Sequence, residues 1–136
     1  MDIKALFAVT KTIAVVGMST RPERPSHRVA SYMQAAGYRI VPVNPAYDGQ
    51  EILGETCVAT LADVTVPIDI VDCFRRSEDM VEVAKAAVGV LPLPKVLWMQ
   101  LGVENTEAAK IARDAGVAVV QNRCIETEFI TLQRTN

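Results

Sequence analysis

Thr12-Ile13-Ala14-Val15-Val16 is a short run of mostly β-branched residues, stopped by Gly17-Met18-Ser19. From Ile13 on it is apolar at odd and even positions alike. A strand with both faces covered needs that pattern, and parallel strands under helices are such strands. Four similar runs follow: Arg39-Ile40-Val41-Pro42-Val43, Ile68-Asp69-Ile70-Val71-Asp72-Cys73, Val96-Leu97-Trp98-Met99 and Val117-Ala118-Val119-Val120.

Between the runs the spacing is helical. Ser26 is expected to cap a helix through Val29, Tyr32, Met33 and Ala36, stopped by Gly37. Ser77-Glu78-Asp79 opens another that buries Met80, Val81, Ala84 and Val88, its acidic residues suiting the positive end of the dipole. A third runs from Asn105 through Ala108, Ile111, Ala112 and Ala115 to Gly116. Residues 3–9 and 125–133 read as flanking helices. Strand and helix in alternation predict an α/β fold: a five-stranded parallel sheet with helices on both faces and right-handed crossovers. The expected strand order is 3-2-1-4-5. The third link, residues 44–67, is long and rich in turn residues. No repeat or linker interrupts the pattern, so residues 1–136 are expected to form one Rossmann-like domain.

Composition narrows the function classes. Half of the 136 residues are apolar and 22% are charged, enough for a packed core. The net charge is −2, which argues against general nucleic-acid binding. The longest apolar stretches fall far short of the roughly 20 residues that cross a bilayer. The start, Met1-Asp2-Ile3-Lys4, lacks the pattern of a secretory signal. Cys57, Cys73 and Cys124 are an odd number without CxxC spacing, which speaks for a reducing, cytoplasmic setting. The single histidine, His27, excludes a multi-histidine metal site.

Ligands of open parallel sheets bind beyond the carboxyl ends of the strands, where strand order reverses. That edge collects Gly17-Met18-Ser19, Asn44-Pro45, Phe74-Arg75-Arg76, Gln100-Leu101-Gly102 and Asn122-Arg123-Cys124. Gly17 lets the backbone approach an anion, Ser19 adds a hydroxyl, and the helix at Ser26 aims free amides at the same place. The loop lacks the further glycines of a dinucleotide fingerprint, and Asn44 stands where an NAD site usually has an acid. It lacks the Gly-Lys-Ser/Thr of a P-loop as well. Residues 21–28 hold Arg21, Arg24 and Arg28 against Glu23 alone, a charge of +2 with His27 neutral. Arginine forks match phosphate oxygens, so the loop suits a ligand with more phosphate than NAD. Arg75-Arg76 at a helix start oppose the dipole, which points to an anionic partner. Trp98 reads as core, and Cys124 as a quiet thiol beside Arg123.

Taken in order, these motifs resemble the small stand-alone CoA-binding proteins, which are similar to the N-terminal domain of the succinyl-CoA synthetase α subunit. The resemblance covers residues 10–133. It rests on Val15-Val16-Gly17-Met18-Ser19, Arg24-Pro25-Ser26, Pro42-Val43-Asn44-Pro45, Gly54, Ile68-Asp69-Ile70-Val71-Asp72 with Phe74-Arg75-Arg76-Ser77-Glu78, Trp98-Met99-Gln100-Leu101-Gly102 and Asn122-Arg123-Cys124. It implies a Rossmann-like domain that binds coenzyme A or an acyl-CoA. Gly17, Met18, Ser19, Arg24, Pro25 and Ser26 would lie by the phosphates, and Val43, Asn44 and Pro45 by the adenosine. Cys73, Phe74 and Arg75, with Gln100 and Leu101, would close the other side. Residues 89–95, Gly-Val-Leu-Pro-Leu-Pro-Lys, depart from the family in being longer and richer in proline.

No base is paired with a nucleophile in this reading, so binding without catalysis is the leading expectation. The alternative is an enzyme, an NAD(P)-linked reductase or a thiol-dependent CoA reaction at Cys124. A third reading is an interaction module, with Leu91-Pro92-Leu93-Pro94 serving an unknown protein partner or a homo-oligomer contact.

Overall fold

The computed structural model describes residues 1–134. Helix α1 (Ile3–Val9) leads into strand β1 (Thr12–Val16), α2 (Pro25–Ala35) and β2 (Arg39–Val43). A two-stranded hairpin follows, β3 (Glu51–Ile52) with β4 (Glu55–Thr56). Then come β5 (Ile70–Cys73), α3 (Met80–Val88), β6 (Val96–Met99), α4 (Thr106–Asp114), β7 (Ala118–Val120) and α5 (Ile125–Arg134). No helix among the described residues is long and apolar enough to cross a membrane.

The five longer strands form one parallel sheet, as the apolar runs imply. Side chains alternate between its faces. Ile13, Val15, Ile40, Ile70 and Trp98 pack with Leu6 and Phe7 of α1, Val29 and Met33 of α2, and Ile125 of α5. Ala14, Val16, Val71, Cys73, Leu97 and Met99 meet α3 and α4 through Met80, Ala84, Ala87, Ala108, Ala109 and Ala112. Alanines at these positions let the two helices sit close to the strands. At the amino edge, Asp69 accepts N–H bonds from Lys11 and Thr12 and pairs with Lys95. Burial pushes its carboxyl up, but Lys95 and the two amides prevail and hold it below the ordinary range.

Two expectations are corrected. The sheet order is β2-β1-β5-β6-β7, so the third long strand lies beside β1 and not outside β2. Pro42 supplies the reason. The Pro42 carbonyl accepts from the Val58 amide on the outer side of β2. A residue's N and C=O leave a strand on the same side, so the missing N–H of proline lies there too. That makes β2 an edge strand. The segment after β2 then covers this edge: Val58 bridges Val43, and the Asn44 amide donates to the Val58 carbonyl. The α2 start is the second correction. Arg24 is the cap residue, Pro25 takes the first helical position, and Ser26 lies inside the first turn. Asn105 does cap α4, accepting from Ala108.

Residues 89–95 precede β6, at the edge of the sheet opposite its carboxyl ends. Leu91 there is 85% exposed. The proline-rich link therefore lies away from the carboxyl-end crevice.

Candidate functional site

With this order the chain reverses direction across the sheet between β1 and β5, which opens a crevice at their carboxyl ends. Gly17 follows β1 and Phe74 follows β5. Gly17 has φ +85°, and a Cβ on it would stand 2.3 Å from the Phe74 carbonyl oxygen. Only glycine lets the two strand ends close here. The Gly17 amide donates to the Val43 carbonyl, tying the turn to β2 as well.

A cleft of about 770 Å³ opens over this turn. That is within the range of small-molecule sites. Of the residues expected in the site, Gly17, Met18, Ser19, Arg24, Pro25, Ser26, Asn44, Phe74, Arg75, Gln100 and Leu101 all line it. Val43, Pro45 and Cys73 do not. Val43 and Cys73 end their strands on the face turned to α3 and α4, where both are buried in the core. Pro45 is exposed, outside the cleft, in the single turn Pro45–Tyr47. Burial first, and Asp72 second, push the Cys73 thiol well up, as suits a core residue. His27 does not line the cleft.

The loop is held by its own polar groups. The Ser26 hydroxyl oxygen accepts from the Ser19 amide at 3.0 Å, and the Ser19 hydroxyl oxygen accepts from the Arg21 amide at 3.1 Å. Each hydroxyl keeps its hydrogen to donate. The Asn44 side chain clamps β2 to the loop: it donates to the Met18 carbonyl at 2.9 Å and accepts from the Ala46 amide at 2.9 Å. Asn44→Ala is expected to cost about 2 kcal/mol, the sum of two such bonds. Urea unfolding tests this, and an unchanged midpoint would remove the clamp from the account.

Arg21, Arg24, Arg28, Arg75 and Arg76 all border the cleft. Arg21 pairs with Glu23, and Arg75 and Arg76 share Asp79. The Arg76 guanidinium beside Asp79 holds that carboxyl below its ordinary value. Asp79, with Glu78 beside Arg76, offsets the cations at the start of α3, so the conflict with the dipole that the sequence suggests is partly relieved. Arg24 and Arg28 face no carboxylate within ion-pair distance among the described residues. Both stand on α2 or its cap, beside the unpaired amides of its first turn.

Tyr47, Val29, Val103 and Cys124 complete the wall. Tyr47 comes back over the cleft because Asn44 caps the turn that carries it, and its amide donates to the Asn44 carbonyl. Val29 lies one helical turn beyond Pro25, a spacing that could have found it. Trp98 is fully buried, as expected of core. Its indole N–H donates to the Arg123 carbonyl at 2.8 Å and so fixes the loop that presents Cys124.

A doubly wound parallel sheet with a cation-rich crevice at its switch point defines a protein class: Rossmann-like α/β domains. Within it, the chain belongs to the CoA binding domain family, whose model matches residues 11–129. It is 44% identical over 125 residues to the uncharacterized protein YneT of Bacillus subtilis (strain 168), covering 92% of this chain and 90% of that one. Among solved structures it is similar to cell-free ID.343 from Thermus thermophilus, at 37% identity and TM-score 0.92 over 96% of each chain. A hypothetical protein from Pyrococcus horikoshii OT3 is 36% identical with TM-score 0.89, over 97% of this chain and 90% of that one.

Proposed function

We propose that the cleft binds coenzyme A or an acyl-CoA and acts as a binding site without chemistry of its own. The observation that carries this reading is the meeting of Arg24 and Arg28, free of carboxylate partners among the described residues, with the Gly17 turn and the open end of α2. Guanidinium forks and free helix amides suit phosphate oxygens. CoA carries a pyrophosphate and a 3′-phosphate, and this cation-rich rim matches that charge. The adenosine takes the side of Asn44 and Tyr47. The pantetheine arm runs along Phe74 toward Gln100 and Leu101. Membership in the CoA binding domain family supports the ligand class.

Isothermal titration with CoA and dephospho-CoA tests the reading. Dephospho-CoA is expected to bind about tenfold to a hundredfold more weakly, the loss of a charge-assisted contact. No heat with CoA, or equal affinity for the two, would overturn it.

A second reading has one observation in its favour: Cys124 lines the cleft and is partly exposed. Its thiolate could attack a CoA disulfide, forming a mixed disulfide and releasing one CoA thiol. Intact mass after incubation with CoA disulfide decides it, and an unshifted mass eliminates this branch.

A further inference from the structure

Asp72 lies in β5 between Val15 of β1 and Trp98 of β6, and is 1% exposed. Its neighbours Val71 and Cys73 face α3 and α4, so its side chain takes the other face. There β1 and β6 offer Val15 and Trp98, α2 turns Val29, Ala30 and Met33 inward, α1 Leu6 and Phe7, and α5 Ile125. None of these ionises. Next in the chain, on the opposite face, is the Cys73 thiol, and the titratable side chains packed against the apolar cluster on the face of Asp72 are Tyr38, Tyr47 and Cys124. No cation stands within ion-pair distance among the described residues.

The one hydrogen bond to the Asp72 side chain comes from Gln100, whose Nε2 donates to Asp72 Oδ1. An ionised carboxylate only accepts, so it compels the amide to turn its NH₂ inward. The Gln100 amide oxygen is left without a protein donor. No fully buried side-chain oxygen or nitrogen lacks a partner among the described residues. The free oxygen is therefore not fully buried, and it sits on a residue that lines the cleft.

We propose that Asp72 is a positioning residue that holds the Gln100 amide oxygen toward the cleft, so that this end of the site selects a ligand group carrying an N–H or O–H donor. In naming the donor this rests on the CoA reading. Gln100 follows β6, two strands or about 10 Å from the phosphate cradle at β1 and on the side away from Asn44 and Tyr47. An amide N–H of the pantetheine arm reaches it there.

The device depends on protonation. Burial raises the Asp72 carboxyl to about 7, with the Gln100 bond pulling the other way. A protonated Asp72 can donate to the amide oxygen and loses its hold on the amide's orientation. Binding that needs the ionised form strengthens as pH rises through this range.

The test is titration of wild type and Asp72→Asn with CoA and with adenosine 3′,5′-bisphosphate, which lacks the arm, between about pH 5.5 and 8.5. At the alkaline end the substitution is expected to weaken CoA about tenfold and to leave the bisphosphate within about twofold. The wild-type to variant ratio for CoA, in which the ligand's own titration cancels, is expected to fall toward one in acid. Gln100→Met should weaken CoA at the alkaline end, with its ratio to wild type also falling toward one in acid, and spare the bisphosphate. An equal effect of Asp72→Asn on both ligands, or a CoA ratio flat with pH, overturns the positioning role while CoA binding stands. Failure of both ligands to bind wild type instead refutes the CoA reading, and the assigned donor with it.

Discussion

Gly17→Ala is expected to destabilise the protein by about 4 kcal/mol and to weaken CoA at least a hundredfold in whatever folds. Two costs combine. A side chain at φ +85° is strained in any environment. The added Cβ also falls 2.3 Å from the Phe74 carbonyl oxygen, a backbone atom that cannot swing aside. The Phe74 amide donates to the Val16 carbonyl at 2.9 Å, so relief means parting β1 from β5 at the crevice itself. Urea unfolding and CoA titration read the two effects. A variant with wild-type stability and affinity would show that the close approach of Gly17 to Phe74 is not what shapes the site.

Asp72→Asn is expected to raise stability at pH 8 by about 3 kcal/mol, close to 10 °C in Tm, and to change little near pH 4. The Asp72 carboxyl is raised to about 7 in the folded protein by burial, while the unfolded chain titrates near an ordinary aspartate. Below both values each state holds the proton and the full stability is present. Between them the unfolded chain has lost its proton and the folded one has not, so stability falls as pH rises through the folded value. Asparagine carries no proton to lose and escapes that fall. Asp69 works in the opposite sense: held below its ordinary range, it contributes stability that is lost on acidification. It is present in both proteins and cancels in their difference. Thermal melts across this pH range give the comparison, and a difference independent of pH would mean that Asp72 does not titrate as described.

The gain in stability and the loss of CoA affinity expected of one substitution share a cause. A carboxylate kept in an apolar strand without a cation is costly. It orients one amide at the cleft that a neutral residue would leave free to turn.

Much of the cleft lining was legible because it follows from strand ends. Apolar runs located the five strands closely, with three of them matching residue for residue. Every turn after such a run then became a candidate. The errors came from side-chain direction. Val43 and Cys73 stand at strand ends like Gln100, yet period-two alternation against an unseen partner sends them into the α3–α4 core. Tyr47 was missed because its place depends on a turn capped by Asn44. Pro42 held the clue to the strand order, since an edge strand accommodates the missing N–H that an inner strand would need.

From residue order and chemistry alone came the α/β class, the parallel strands, the arginine-rich loop and the glycine turn, since each depends on near neighbours in the chain. Tertiary structure alone decided which strand lies beside β1, which arginines stand clear of carboxylates, and that Asp72 meets Gln100. Those outcomes are contacts between residues distant in sequence, and local pattern carries no record of them.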